Sequence, residues 1–268
     1  MTASRLSLTL GILLLVSAVS LAAVPSAPSA SSALSSVPAA FPWKDGEQLD
    51  YEIRWGAILA AEARFTATQP SPGRWHFALD LQSRGIVESV APIRDQIYSE
   101  VEASPWRSLE YSSDRSEAGT HRRRIMDIDY LHRSGTIRDV ENKTTTAFPV
   151  PYAAVDDIGS VLYEMRRIDW QPGMKRPVGV YDGPVITRGE AACLRRESIA
   201  VAGLPGEIPC LVVFLRPIYD DPVKNAQGYG TTLWIRDDAS RVPLRADLKA
   251  RFGTITLRWV PPPAAGPV

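Results

Sequence analysis

From residue 41 onward apolar and polar side chains alternate with a period of two, which puts one set on a buried face and the other in water. Tyr51, Ile53 and Trp55 alternate with Glu52 and Arg54, and Ala61, Ala63 and Phe65 alternate with Glu62 and Arg64. Trp75, Phe77, Leu79 and Leu81 share a face opposite Arg74, His76, Asp80 and Gln82. Such segments predict half-buried antiparallel strands. Met126, Ile128 and Tyr130 continue the pattern, and a turn at Ser134-Gly135 is expected to return Thr136 to Val140 beside them. Near the C-terminus Leu244, Ala246, Leu248, Ala250 and Phe252, then Ile255, Leu257 and Trp259, alternate with polar residues, with turns at Asp237-Asp238-Ala239-Ser240 and at Gly253. Leu211-Val212-Val213-Phe214-Leu215 is apolar on both faces, as in a strand covered from both sides.

One segment has the helical period instead. Val155, Ile158, Val161, Leu162, Met165 and Ile168 form a single stripe, Asp156 or Asp157 is placed to cap it, and Pro172-Gly173 ends it. The expected fold is therefore mainly β. About ten antiparallel strands would build one strongly curved sheet, an open or closed barrel, with a single amphipathic helix on its concave side or plugging one end.

The first forty residues depart from this pattern. Residues 1–23 read as a secretory signal peptide, with Arg5 as the basic start, Leu10 to Val16 as the apolar middle and small residues at Ala22 and Ala23. The other reading is an uncleaved membrane anchor, since Leu6 to Val24 is nearly long enough to span a bilayer. Residues 24–40 are Ala, Ser, Pro and Val almost throughout and form a flexible linker, residues 41–262 one β-rich domain, and 263–268 a disordered tail. The expected location is the periplasm, or the inner membrane if the leader is retained.

The 268 residues carry 30 Lys+Arg against 30 Asp+Glu, which gives no footprint for nucleic acid. Cys193 and Cys210 flank the turn Gly203-Leu204-Pro205-Gly206. Export permits a disulfide, which in the chain-entropy account would stabilise the fold by roughly 3 kcal/mol; two buried thiols packing as small apolar groups is the other reading.

Hydrolase, metalloprotease, P-loop and dinucleotide motifs are absent from the sequence, and no cofactor or metal is expected. His121, Asp127, Asp129 and His132 have the residue types of a metal or acid–base site, but an extended strand puts His121 roughly 20 Å from Asp127. A solvated strand face is the expectation there, and Arg122-Arg123-Arg124 should divide between two faces. Asp157, Ser160, Tyr163 and Arg166 recur every third residue of the helix and sweep across its polar side. They read either as a ligand-binding lining of a cavity inside the sheet, or as a cap with a Ser and an Arg tied to neighbouring strands. Trp55 and Trp75, with Trp234 and Trp259, would line such a cavity or fill a solid core.

Three blocks carry a resemblance. Gly46-Glu47-Gln48-Leu49-Asp50-Tyr51-Glu52-Ile53-Arg54-Trp55 with Ala60-Ala61-Glu62-Ala63 is the first. Asp157-Ile158-Gly159-Ser160-Val161-Leu162-Tyr163-Glu164-Met165-Arg166 is the second, and Leu233-Trp234-Ile235-Arg236-Asp237-Asp238 leading to Val242-Pro243-Leu244-Arg245 is the third. Over residues 43 to 260 the chain resembles the bacterial domain-of-unknown-function family 3108. The matching positions are Glu47, Tyr51, Asp157, Ser160, Tyr163, Arg166, Asp238 and Pro243. Ala61 stands where a Gly is usual, and Cys193 is an individual addition.

The resemblance implies an exported protein of β-rich fold with no established activity, so it assigns no catalytic role. By analogy the architecture is similar to the half-barrel of periplasmic lipoprotein carriers. The functional expectation is a non-enzymatic periplasmic binding or envelope-maintenance protein holding a lipid or other apolar or amphipathic small molecule. The alternative is a structural protein that engages an envelope partner through its edge strands. An enzyme would require Asp157, Tyr163 and Arg166 to converge in a cleft.

Overall fold

The computed structural model describes residues 41–117, 119–181, 183, 186–219, 229–250 and 253–263. The leader and linker expected at 1–23 and 24–40, residues 264–268 of the expected tail, and Phe252 lie outside the described residues.

Fifteen strands of the described residues form one sheet, where about ten were expected. The first eight are β1 (Glu47–Trp55), β2 (Ile58–Ser71), β3 (Arg74–Ser83), β4 (Ile93–Ala103), β5 (Trp106–Glu117), β6 (Thr120–Asp129), β7 (Ser134–Asp139) and β8 (Thr144–Pro149). They are followed by β9 (Asp156–Asp157), β10 (Lys175–Tyr181), β11 (Ile186–Ala200), β12 (Glu207–Pro217), β13 (Gly230–Arg236), β14 (Pro243–Ala250) and β15 (Gly253–Val260). The spatial order is β8 down to β1, then β15 down to β9, so the chain runs as two meanders joined where β1 pairs with β15. Every neighbour is antiparallel except the two-residue pairing of β9 with β10. The expected return of Thr136 to Val140 beside Met126 and Ile128 is β7, which buries only Gly135 and Asp139, and β8, which periodicity did not announce, buries only Phe148.

The expected alternation holds through β1 to β3, where Leu49, Tyr51, Ile53, Ala63, Phe65, Phe77 and Leu79 are buried, and β4, which was not expected, alternates likewise around Ile93, Ile97 and Val101. β12 is covered on both sides: Leu211, Val213 and Leu215 join one apolar cluster, Cys210 and Val212 another. Three details differ from expectation. The β6–β7 turn spans residues 130–133, with Arg133 at φ 50°, and Ser134 and Gly135 already pair with Asp129 and Ile128. A six-residue helix, α1 (Gly85–Val90), links β3 to β4 and buries none of its residues, so no stripe announced it. The expected helix is α2 (Val161–Arg167), shorter at its start than the stripe from Val155.

Cys193 and Cys210 are both buried and both free. In the β11–β12 ladder Cys193 faces Val213 and Cys210 faces Glu197, so the two thiols occupy different rungs. Because neighbouring residues of β12 alternate in direction, Cys193 belongs with Val213 on one face and Cys210 with Val212 on the other. No bridge forms across a sheet.

The sheet curves until its two ends approach without joining through a backbone ladder. The Phe148 ring of β8 packs on Tyr181 of β10 with centroids 5.2 Å apart, and the Tyr181 hydroxyl donates to the Pro149 carbonyl at 3.4 Å. On β7, Gly135 lies opposite Phe148, and an added Cβ would stand 2.3 Å from the ring, so only glycine leaves room for it. Inside the curve, α2 and Trp170 pack against Leu211, Val213, Leu233 and Ile235 on one side. On its other side α2 sends Tyr163 into the rings of β3 and β5.

Candidate functional site

At the end of the sheet where the chain enters β1, Trp75 and Phe77 of β3, Trp106 of β5, and Ala67, Val101 and Ala103 of β2 and β4 form an apolar wall. Tyr163 of α2 stacks on Phe77, with centroids 3.8 Å apart and planes 18° from parallel. Into this box the segment before β1 inserts two rings. Trp43 stands 5.1 to 5.9 Å, centroid to centroid, from Phe41, Trp75, Phe77, Trp106 and Tyr163 and is only 5% exposed. Phe41 is half-buried beside it and packs edge-on to Trp75.

Arg166 closes the base of the box. Its side chain is fully buried, its two terminal nitrogens hold both carboxylate oxygens of Glu47, and the same group donates to the Ser240 carbonyl at 2.9 Å and the Pro42 carbonyl at 3.4 Å. The guanidinium also lies over the rings of Trp43 and Tyr163, 5.3 and 5.4 Å from their centroids, a cation–π arrangement. Burial is the main cause that pushes the Tyr163 phenol far above its ordinary acidity, so it remains a neutral hydroxyl. Four buried polar atoms of the box have no hydrogen-bond partner among the described residues: Trp43 Nε1, Trp75 Nε1, Tyr163 Oη and Arg166 Nε.

A second buried group anchors the start of α2. Asp157 Oδ1 accepts the backbone N–H groups of Gly159 and Ser160, at 2.7 and 2.9 Å, and Oδ2 accepts the hydroxyls of Ser99 and Ser108 from β4 and β5. Those two backbone bonds hold residues 157–160 in a turn, which is why the helix begins at Val161. Ser160 gives its hydroxyl to Asp156 Oδ1, which also accepts Trp106 Nε1–H at 2.9 Å. Burial, followed by the nearby Glu164 charge, pushes the Asp156 carboxyl up to about 8. Burial raises Asp157 too, but its four donors oppose the shift and its carboxyl lies at about 6.

Of the site residues expected from the sequence, Trp75, Tyr163 and Arg166 meet in the box, while Asp157 and Ser160 form the neighbouring anchor. All four of the helix-segment residues are fully buried, and Asp157 and Arg166 have separate partners, so they do not converge in an open cleft. Trp55 is half-buried at the far end of β1, across the β1–β15 ladder from Ile255, and is not part of either group. Sequence reasoning missed Phe41, Trp43, Trp106, Ser99 and Ser108. The only signal available for the first two was a pair of large rings just after a stretch without any. His121 meets Asp114 and Glu141, His132 meets Asp129, and among the described residues no three His, Cys, Asp or Glu side chains are grouped to hold a metal.

Comparison with known proteins returns a family and a fold. No curated protein matches the chain. Among solved structures, a β-barrel-like protein of the domain-of-unknown-function family DUF1849 from Brucella abortus superposes with a TM-score of 0.51 at 6% identity. That likeness covers 80% of this chain and 94% of the other, and it speaks for the fold alone. The family described as "Protein of unknown function (DUF3108)" matches residues 50–259, which include the α2 anchor, Arg166 and both meanders. The chain therefore belongs to the DUF3108 family.

Proposed function

We propose that this protein is an exported, non-enzymatic binding protein of the bacterial envelope, and that its ligand is an amphipathic small molecule taken up by the aromatic box. The carrying observation is the composition of the wall around Trp43: ring faces together with three buried polar groups that lack acceptors, Trp75 Nε1, Tyr163 Oη and Arg166 Nε. Buried polar groups in native proteins are nearly always paired, so a wall rich in unpaired donors suits a ligand that brings an acceptor. Because Glu47 already neutralises Arg166, an uncharged acceptor such as an ester or amide carbonyl fits better than a second carboxylate. The apolar body of the ligand would take the place now filled by Trp43, the ring delivered by a segment outside the sheet. Phe41-Pro42-Trp43 thus acts as a strap that occupies the site in the absence of ligand.

The test is a titration of the purified protein with a fluorescent monoacyl ester, alongside mass spectrometry of its organic extract. Trp43→Ala, which vacates the box while leaving its wall, is expected to bind the probe at least tenfold more tightly than the native chain. If neither protein binds the probe and both extracts are empty, the reading fails. Export rests on residues 1–23 and is checked by fractionation: recovery of the chain from the cytoplasm with its leader intact would refute it.

A second reading, an interaction protein of the envelope, is favoured by the edge strand β8. Thr144 to Ala147 are exposed and uncharged, and their strand has a neighbour on one side only. Such edges are templates for pairing with another chain.

A further inference from the structure

On the opposite, polar face of the first meander, outward side chains from seven neighbouring strands, β15 and β1 to β6, line an open groove of about 960 Å³. Crossing these strands at about 4.8 Å per step, the groove is about 29 Å long. Its floor is set by strand register. One row reads Asp50, Arg64, Asp80, Gln96, Asp114, each the direct cross-strand partner of the next. The adjacent row reads Glu52, Glu62, Gln82, Arg94, Ser116 in the same way. Hydrogen-bond acceptors and donors therefore alternate along the first row, and the second opens with two carboxylates before Gln82 and Arg94, on a strip with the shape of a linear chain.

We infer that this groove is a glycan-binding site, taking a neutral, hydroxyl-rich oligosaccharide laid across the strands. Three features select that class. First, the two rows carry five carboxylates, Asp50, Glu52, Glu62, Asp80 and Asp114, with two arginines, Arg64 and Arg94. That excess of acids repels a polyanion such as nucleic acid or polyphosphate, and each of the five carboxylates already has a side-chain partner, in Arg64, Arg54, Arg84, Gln96 or His121, which weakens the hold on a polycation. Second, the groove runs perpendicular to strands whose backbone groups are already used in ladders on both sides, so a peptide gains no main-chain pairing there. Recognition must come from side chains alone, and a sugar hydroxyl can donate to a carboxylate while accepting from a guanidinium or amide.

Third, the pairs that cross the strip are exposed and weakly held. Arg64 reaches both oxygens of Asp50, at 2.7 and 3.1 Å, with the two side chains about half exposed, and Gln96 donates to Asp80 at 2.9 Å. Surface pairs of this kind contribute at most about 1 kcal/mol, so vicinal hydroxyls can enter between partners at small cost. Glu52 and Glu62 face each other directly, each held by an arginine pair of the same weak kind, Arg54 at 3.1 Å and Arg84 at 2.9 Å.

The experiment is isothermal titration of the full chain with the N-acetylglucosamine hexamer, repeated with Arg64→Ala/Gln96→Ala and with a mixed-charge decapeptide and polyphosphate as rival ligands. Saturable hexamer binding, weakened at least tenfold by the double substitution while the melting temperature stays within a few degrees, supports the site. Failure of the hexamer to bind overturns it. So does hexamer binding that the double substitution leaves unchanged, or tighter binding of the decapeptide or polyphosphate. The acyl-ester titration of the box, run on the same double variant, separates the two sites: it should be unaffected, because neither residue touches the box.

Discussion

Asp156 and Asp157 are adjacent in sequence and both almost wholly buried, yet they are held differently. Four donors converge on Asp157, the environment of a carboxylate, while Asp156 receives two and faces the charge of Glu164. Above pH 4 the unfolded chain releases both protons, whereas the native Asp156 keeps its proton up to about 8 and Asp157 up to about 6. The native state then binds more protons than the unfolded state, so stability must fall as pH rises through this window, by at most about 1.4 kcal/mol per pH unit for each group. Thermal melts should show a lower Tm at pH 8 than at pH 5. Asp156→Asn, which keeps an acceptor oxygen and cannot ionise, should flatten the curve between pH 6 and 8; an unchanged slope would mean that Asp156 is ionised throughout. Arg166 is matched instead by a two-point ion pair with Glu47. Arg166→Met alone leaves Glu47 beside an apolar box and should cost about 3–5 kcal/mol in denaturant unfolding. Adding Glu47→Gln to it should recover part of that loss.

At the scale of elements, α2 shows which parts of the structure were written in the chain and which were not. Its stripe of Val161, Leu162 and Met165 was legible, because a buried helix face repeats with the helical period. Its start was not, because Asp157 draws the backbone of Gly159 and Ser160 into a turn whose other partners, Ser99 and Ser108, lie some fifty residues away. The strap was equally illegible: Phe41 and Trp43 have no periodic neighbours, and their site exists only once β3, β5 and α2 are assembled. Strands β1, β2, β3, β6, β7, β12, β14 and β15 were read from their patterns, while β8 was missed because tertiary pairing places it in the sheet with Phe148 as its one buried residue. The turn before α2 gives a sharp prediction. A Cβ on Gly159 would lie 2.9 Å from Ser99 Cβ and 3.2 Å from Asp157 Oδ1. Gly159→Ala must push α2 off β4 and should lower the unfolding free energy by about 1–3 kcal/mol.

For the whole molecule, two meanders joined at the β1–β15 ladder make a sheet that curls around α2 and remains open along one line. Openness leaves β8 as a terminal strand whose exposed stretch bears three threonines and an alanine. If the protein assembles through that edge, sedimentation should show a concentration-dependent dimer, and Thr146→Pro, which removes a backbone donor, should abolish it without changing acyl-ester binding. A monomer at all concentrations would leave the edge without a role in self-association.

Phe148 against Tyr181 gives the closure a character of its own. A barrel sealed by backbone rungs has no place to begin coming apart, but here β8 meets the other end through two rings and a hydroxyl bond, and parting them breaks no ladder. The molecule is a scroll rather than a tube. Amide protons near the β8 margin should exchange with deuterium well before those of β1 and β15, and any wide opening must start as an unrolling from that margin, because the other, β9, is pinned by its buried aspartates to β4 and β5.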